Sequence, residues 1–408
     1  MKLPRVGIIC GGVLKEVPNP HDLDLKALES LVGANTGNLA FTYPIDQLIE
    51  NRVERIPWNF DIDIARERYD ILWFACANMI GSHADLAWVS DHLEQAGLPV
   101  VAVGLGAQTR SIRDGEMQIK PGTLRWLKTL ERLSPSSCNI FCRGDYTDTL
   151  LKKHGAGFST SGCCPSLFIS PDPRLGQSIF EKRHDPQRNQ EPFVVYSGFI
   201  GNQTLYPLEQ SLVRLLEQHH SPGIYISQHG GILLSLSEKR FRESLSEDDI
   251  AQAAAMIRPD DSHQDFLNWC ELHARSFYSV DTWLHHLRRY SFSCGMRFHG
   301  NMLSLQAGLP SICITIDSRT EELCHSCKVP SMNAFEFSSI SPEVLYRVFD
   351  RRFQPDWFDY NRSLLARRLI SFLLANNLSP SMQLQAIASS CMVPPHTLAG
   401  PLEEAVMA

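Results

Sequence analysis

Residues 294–323, CGMRFHGNMLSLQAGLPSICITIDSRTEEL, set Arg297 and His299 on alternate positions at the end of an apolar run. An arginine offers a planar fork of donors shaped for a carboxylate or phosphate. A histidine can donate a hydrogen bond or pass a proton near neutral pH. Gly300 lets a ligand approach the backbone, and Asn301 stands with it at the head of a helix whose unpaired N–H groups favour an anion. The four residues read as a grip for a phosphate and a carboxylate with a proton donor beside it. The competing reading is an Arg297 paired with a core carboxylate and a His299 that caps the helix. Past the next strand, Asp317 can cap a turn and Arg319 can reach the same place. Glu321 and Glu322 suit the first turn of a helix, either binding a sugar hydroxyl or simply facing solvent.

A second cluster lies near the start of the chain. In GANTGNLAF, Gly33 and Gly37 bracket Asn35 and Thr36, with Asn38 following, so amide and hydroxyl groups crowd a loop ahead of a helix. The layout is not that of a nucleoside-triphosphate loop. Asn78, Gln108 and Arg143 stand at the ends of three apolar runs, ACANMIG, GLGAQ and CRGDYT. Uncharged amides at such places suit a hydroxyl-rich ligand; for Arg143, a structural pair with Asp145 competes with a place in the cleft.

These groups need elements to carry them. Apolar runs RVGIIC, YDILWFACANMI, PVVAVGLGAQ and NIFCRG alternate with helix-like segments, among them ADLAWVSDHLEQAG, stopped by Gly97, and DYTDTLLKKHG, capped by Asp145. Strand–helix–strand units of this length imply a parallel sheet covered on both faces. Residues 170–192 are polar and hold four prolines. The alternation then resumes with FVVYSGF, the helix YPLEQSLVRLLEQHH, GIYISQ, a long helical stretch over about 234–290 with a segment capped by Asp281, FSCGM and SICITI. The expected architecture is α/β: two Rossmann-like, doubly wound domains facing across a cleft, with a helical tail. The boundaries are 1–170, a linker at 171–192, 193–342, and C-terminal helices at 343–408. Ligands of such folds bind where the carboxyl ends of the strands meet.

Composition narrows the function. The chain has 408 residues and a net charge of −7, with no basic excess for nucleic acid. Its length and 43% hydrophobic content suit two globular domains. No membrane span and no secretory signal are expected; peripheral contact with a membrane and homo-oligomers stay open. The twelve cysteines read as reduced thiols of a cytoplasmic protein. Cys324 and Cys327 are spaced C-x-x-C without a second ligand pair, so neither a metal nor a redox role is expected, and no cofactor is implied.

Taken together, GANTGN, CRGDYT, GCCPSLF and especially GMRFHGNMLSLQAGLPSICITIDSRTEEL resemble the polysaccharide pyruvyl transferase family, over most of residues 5–335. The last segment matches that family's R-x-H, G-x-P and D-x-R/K pattern in order and spacing. The resemblance implies a two-domain protein of the glycosyltransferase-B type that transfers pyruvate from phosphoenolpyruvate to a pair of sugar hydroxyls, forming a cyclic ketal on a glycan or its lipid-linked precursor. It implies Arg297 as the donor-binding arginine, His299 as the acid, and Asn35 and Gly37 as the N-terminal loop. The family often carries aspartate where this chain has Asn38. A glycosyltransferase using a nucleotide sugar, or a non-catalytic sugar-binding member, are the alternatives.

Overall fold

The most apolar runs become the central strands. Ile71–Ala75 and Val100–Leu105 are buried along their whole length, as strands covered on both faces must be. In the computed structural model, which describes residues 2–113, 117–188, 191–218, 221–337, 340–391 and 394, twelve strands form two sheets of six. The first holds β1 (Val6–Ile9), β2 (Val53–Ile56), β3 (Ile71–Ala75), β4 (Val100–Leu105), β5 (Ile140–Cys142) and β6 (Ser159–Thr160), in the order β2-β1-β3-β4-β5-β6. The second holds β7 (Phe193–Tyr196), β8 (Ile224–Ile226), β9 (Ala274–Arg275), β10 (Phe292–Gly295), β11 (Ser311–Thr315) and β12 (Ser331–Asn333), in the order β12-β11-β10-β7-β8-β9. Every pairing is parallel.

Both sheets reverse direction once. The chain winds outward from β1 to β2 and then returns to place β3 on the other side of β1; in the second sheet β7 leads outward to β9 before β10 returns beside β7. These reversals leave a crevice between diverging loops, β1/β3 in one sheet and β7/β10 in the other. The protein is thus a pair of doubly wound α/β domains facing across a cleft, the glycosyltransferase-B arrangement, with helices at the C-terminal end.

The first of those helices, Pro342–Arg352, packs on the second domain's own sheet, with Phe349 against Phe292; the next two, Pro355–Ala375 and Met382–Ser389, cross back to the first domain. Phe372 packs on Phe141 at 5.4 Å, Asn376 Nδ2 donates to the Cys138 carbonyl at 2.9 Å, and Ser379 N donates to Asn51 Oδ1 at 2.8 Å. Residues 171–192 hold a helix, Leu175–Arg183, that packs against the long C-terminal helix. Within 234–290 the chain makes several short helices and the edge strand β9 rather than one helical run. Two helix starts also differ from the sequence reading. Asp145 lies inside its helix and accepts from Ser161, while Gly144 takes the cap. Ser279 caps the helix Val280–Leu287, leaving Asp281 to accept from Tyr43 Oη at 2.5 Å. No described helix is long and apolar enough to cross a membrane. His219 and His220, and the tail residues 392, 393 and 395–408, lie outside the described residues.

Candidate active site

The two crevices meet face to face, and their strand ends line one cavity. From β10, the chain passes through Arg297 into the helix Phe298–Gln306. The Arg297 side chain bends across the crevice to the partner strand: Nε donates to the Ser197 carbonyl at 3.1 Å and Nη2 to the Gly198 carbonyl at 2.7 Å. Both carbonyls follow β7, so the guanidinium is pinned at the point where the sheet reverses. Asn301, fully buried, holds this turn from behind: Nδ2 donates to the carbonyls of Gly295 and Arg297 at 2.9 and 2.8 Å, and Oδ1 accepts from Ser311 at 3.0 Å. Burial, then repulsion from Arg319, lowers the Arg297 pKa to about 10, which still leaves it charged at neutral pH.

Arg297, His299, Arg319, Arg143, Asn35, Asn38, Asn78 and Gln228 all line this cavity. His299 Nε2 lies 3.4 Å from Cys164 Sγ, and its ring sits 5.5 Å from that of Phe41. Desolvation is the first cause of its low basicity and the nearby Arg143 and Arg319 the next; together they push its pKa well below 6.5. The imidazole is therefore neutral at pH 7 while the cavity holds no anion.

Arg143 stands at the end of β5, 2% exposed, with its guanidinium 5.7 Å from the centre of the Phe41 ring. Nη2 is 3.5 Å from the Cys76 carbonyl and Nε has no partner among the described residues. Burial lowers its pKa, with Glu322 as an opposing influence. Arg143 and Asp145 do not pair, since Asp145 accepts from Ser161. Arg319 lies 3.4 Å from Asp317, and its Nε is likewise unpartnered. Three guanidiniums and an imidazole thus face a cavity of about 60 Å³ whose lining holds no carboxylate among the described residues, the nearby Asp317, Glu209 and Glu322 acting on the arginines from behind. Guanidinium groups carry donors and no acceptor, so the N–H groups left over in this lining call for an incoming acceptor oxygen, to which an anion is best suited.

Other residues singled out in the sequence take different places. Gly300 packs against Tyr196 and Gln228, so it makes room for protein side chains and not for a ligand; Asn301, as described, faces the interior. Thr36 is 1% exposed, its N–H donating to the Gln228 carbonyl at 2.9 Å, and its hydroxyl has no partner among the described residues. Gly37 N donates to Asn35 Oδ1 at 2.8 Å. Asn38 Nδ2 donates to the carbonyls of Val32 and Gly33 at 3.0 and 3.1 Å, bonds a carboxylate at this position could not make. Gln108 accepts from Asn78 and donates to Asp317 Oδ2 at 3.1 Å, bridging the domains.

Glu321 and Glu322 also join the domains. Glu321 accepts from Ser111 Oγ at 3.2 Å and Ile112 N at 3.0 Å. Glu322 accepts from Thr147 N and Oγ1, both at 2.6 Å. Neither presents its carboxylate to the cavity. The sequence reading overlooked Gln228 and Phe41, although Gln228 ends the run GIYISQ as Asn78 and Gln108 end theirs. Among the described residues no group of three or more His, Cys, Asp or Glu side chains could hold a metal ion.

Solved structures of similar outline share little sequence. MnaA of S. aureus with UDP matches at 10% identity and a TM-score of 0.46, over 93% of this chain and 99% of that one. UDP-GlcNAc 2-epimerase from Neisseria meningitidis bound to UDP-GlcNAc matches at 11% and 0.43, over 91% and 100%. HepE of Anabaena in complex with UDP matches at 12% and 0.37, over 91% and 100%. No curated protein matches. The family model described as polysaccharide pyruvyl transferase matches residues 35–318, from the Asn35 loop through β10 and β11 to the turn that carries Asp317. The chain belongs to the polysaccharide pyruvyl transferase family.

Proposed function

We propose that this protein transfers pyruvate from phosphoenolpyruvate to two hydroxyls of a sugar, in a glycan or its lipid-linked precursor, forming a cyclic ketal and releasing phosphate. The observation that carries the reading is the convergence of Arg143, Arg297 and Arg319 with His299 on one cavity at the two chain reversals. Phosphoenolpyruvate is a compact donor with a carboxylate and a phosphate, and guanidinium forks suit both.

The reaction needs a proton on the methylene carbon. His299, protonated once the donor is bound, gives that proton and leaves an oxocarbenium-like centre at the adjoining carbon. The first sugar hydroxyl attacks that carbon, and the neutral imidazole takes its proton. Phosphate departs, the second hydroxyl closes the ring, and its proton leaves with the phosphate. Burial first, then Arg143 and Arg319, oppose a positive charge on His299 in the free protein, and the donor's charges offset the two arginines. An acid so placed contributes a factor of roughly 10² to 10⁴. No metal enters this scheme.

The test is direct. Phosphoenolpyruvate raises the melting temperature more than nucleotide sugars do, and with a diol acceptor it yields a ketal methyl carbon by NMR and an equivalent of phosphate. His299→Ala folds and binds donor but loses turnover by at least about a hundredfold. Stabilisation by nucleotide sugars alone, or full turnover in the His299 variant, sinks the proposal; the former favours glycosyl transfer.

A further inference from the structure

We infer that the side-chain amide of Gln228 is a ligand-binding group, a neutral donor that grasps an anionic oxygen of the bound donor and ties it to the first domain. Naming that anion phosphoenolpyruvate rests on the function proposed above; the geometry does not. Gln228 follows β8 and lines the cavity with Arg297, His299 and Arg143. It is 2% exposed, and its Nε2 has no hydrogen-bond partner among the described residues.

The amide is also confined. A Cβ on Gly37 would come within 2.6 Å of Gln228 Oε1, and one on Gly300 within 2.4 Å of Nε2. The glycines of both motifs therefore flank this one side chain, one from each domain, and a larger residue at either position would displace the amide from where it lies. Its main-chain carbonyl accepts from Thr36 N at 2.9 Å, and the neighbouring His229 bridges to Asn35. The arginines that line the cavity with it carry guanidiniums, which cannot accept its hydrogens. Leaving a buried donor unsatisfied is costly, and an oxygen entering the cavity removes that cost. An anion held by Arg297 on one side thus meets, through Gln228, the Asn35–Asn38 loop on the other.

Two variants test this by calorimetry on the full chain, titrated with phosphoenolpyruvate, inorganic phosphate and UDP. Gln228→Met keeps the length and removes the donor; it weakens the anion that binds the wild type by about tenfold or more, the loss expected for a hydrogen bond to a charged group. Gln228→Glu keeps size and shape, so the fold and melting temperature persist, but it sets a carboxylate against the anion and weakens binding further. Steady-state kinetics show the loss in KM for the donor before kcat. Wild-type affinity in the folded Met variant overturns the inference, as does a wild type that binds none of the three probes. A wild type that binds UDP and not phosphoenolpyruvate overturns the proposed reaction alone, and the two variants then test Gln228 on UDP.

Discussion

At the scale of single residues, the proposed chemistry turns on the protonation of His299. In the free protein burial and then Arg143 and Arg319 hold its pKa well below 6.5. A dianion beside those arginines raises it, so donor binding at neutral pH must take up a proton. Calorimetry in buffers of different ionisation enthalpy is expected to read an uptake approaching one proton for the wild type and none for His299→Ala. The sign follows for kinetics: kcat/KM for the donor reports the free protein, where the acid form grows as pH falls, so it should rise from pH 8 towards pH 6. A rise in the opposite direction would assign His299 as a base. Arg297 and His299 were legible as a pair because they leave a strand on alternate positions. Asn301, on the same helix, was not, because whether a polar group at a helix start faces a cleft or the strand behind it depends on that strand's own free groups.

At the scale of elements, one side chain gathers three carbonyls of the connection between the domains. Arg362, 1% exposed on the helix Pro355–Ala375, donates to the carbonyls of Leu167, Ser170 and Asp172. Arg362→Met takes the partner from three carbonyls, those of Leu167 and Ser170 buried and that of Asp172 partly so, and we expect a loss of about 3 kcal/mol, read as a lowered midpoint in thermal or urea unfolding. An unchanged midpoint would mean that solvent replaces the guanidinium. The strands found by sequence were the central ones, while β2, β6, β9 and β12, all at sheet edges, were not. Edge strands are short and half covered, as β6 and β12 are, so neither a continuous apolar run nor strict alternation marks them.

The molecule as a whole is closed. A cavity of about 60 Å³ is smaller than the several hundred Å³ of ordinary ligand sites, so the domains must part to admit donor and acceptor. One set of bonds across the interface lies at the head of the helix Ser318–Cys327, where Gln108 meets Asp317, Thr109 N meets Ser318 Oγ at 2.8 Å, and Thr147 meets Glu322; a second joins the first domain's N-terminal loops to the other domain, where Val17 N meets the Tyr278 carbonyl, Thr36 N the Gln228 carbonyl and Gly230 N the Ala34 carbonyl. Burial raises the Glu322 carboxyl's pKa, its bonds to Thr147 acting against that. Glu322→Ala should loosen the pair: a larger radius of gyration by X-ray scattering in the free protein, with saturating donor restoring the compact form. A free-state radius equal to the wild type's would show that the latch lies elsewhere.

The residues themselves determined the class of fold and the pairing of an arginine with a histidine at one strand end, since periodicity and side-chain chemistry act over a few neighbouring positions. Only the tertiary structure decided which of the polar strand ends share a cavity, that Glu321 and Glu322 clasp the other domain, that the tail crosses back, and that Gln228 stands between two glycines 263 positions apart. Those outcomes depend on contacts between segments hundreds of residues apart, and packing across an interface leaves no local pattern in either segment.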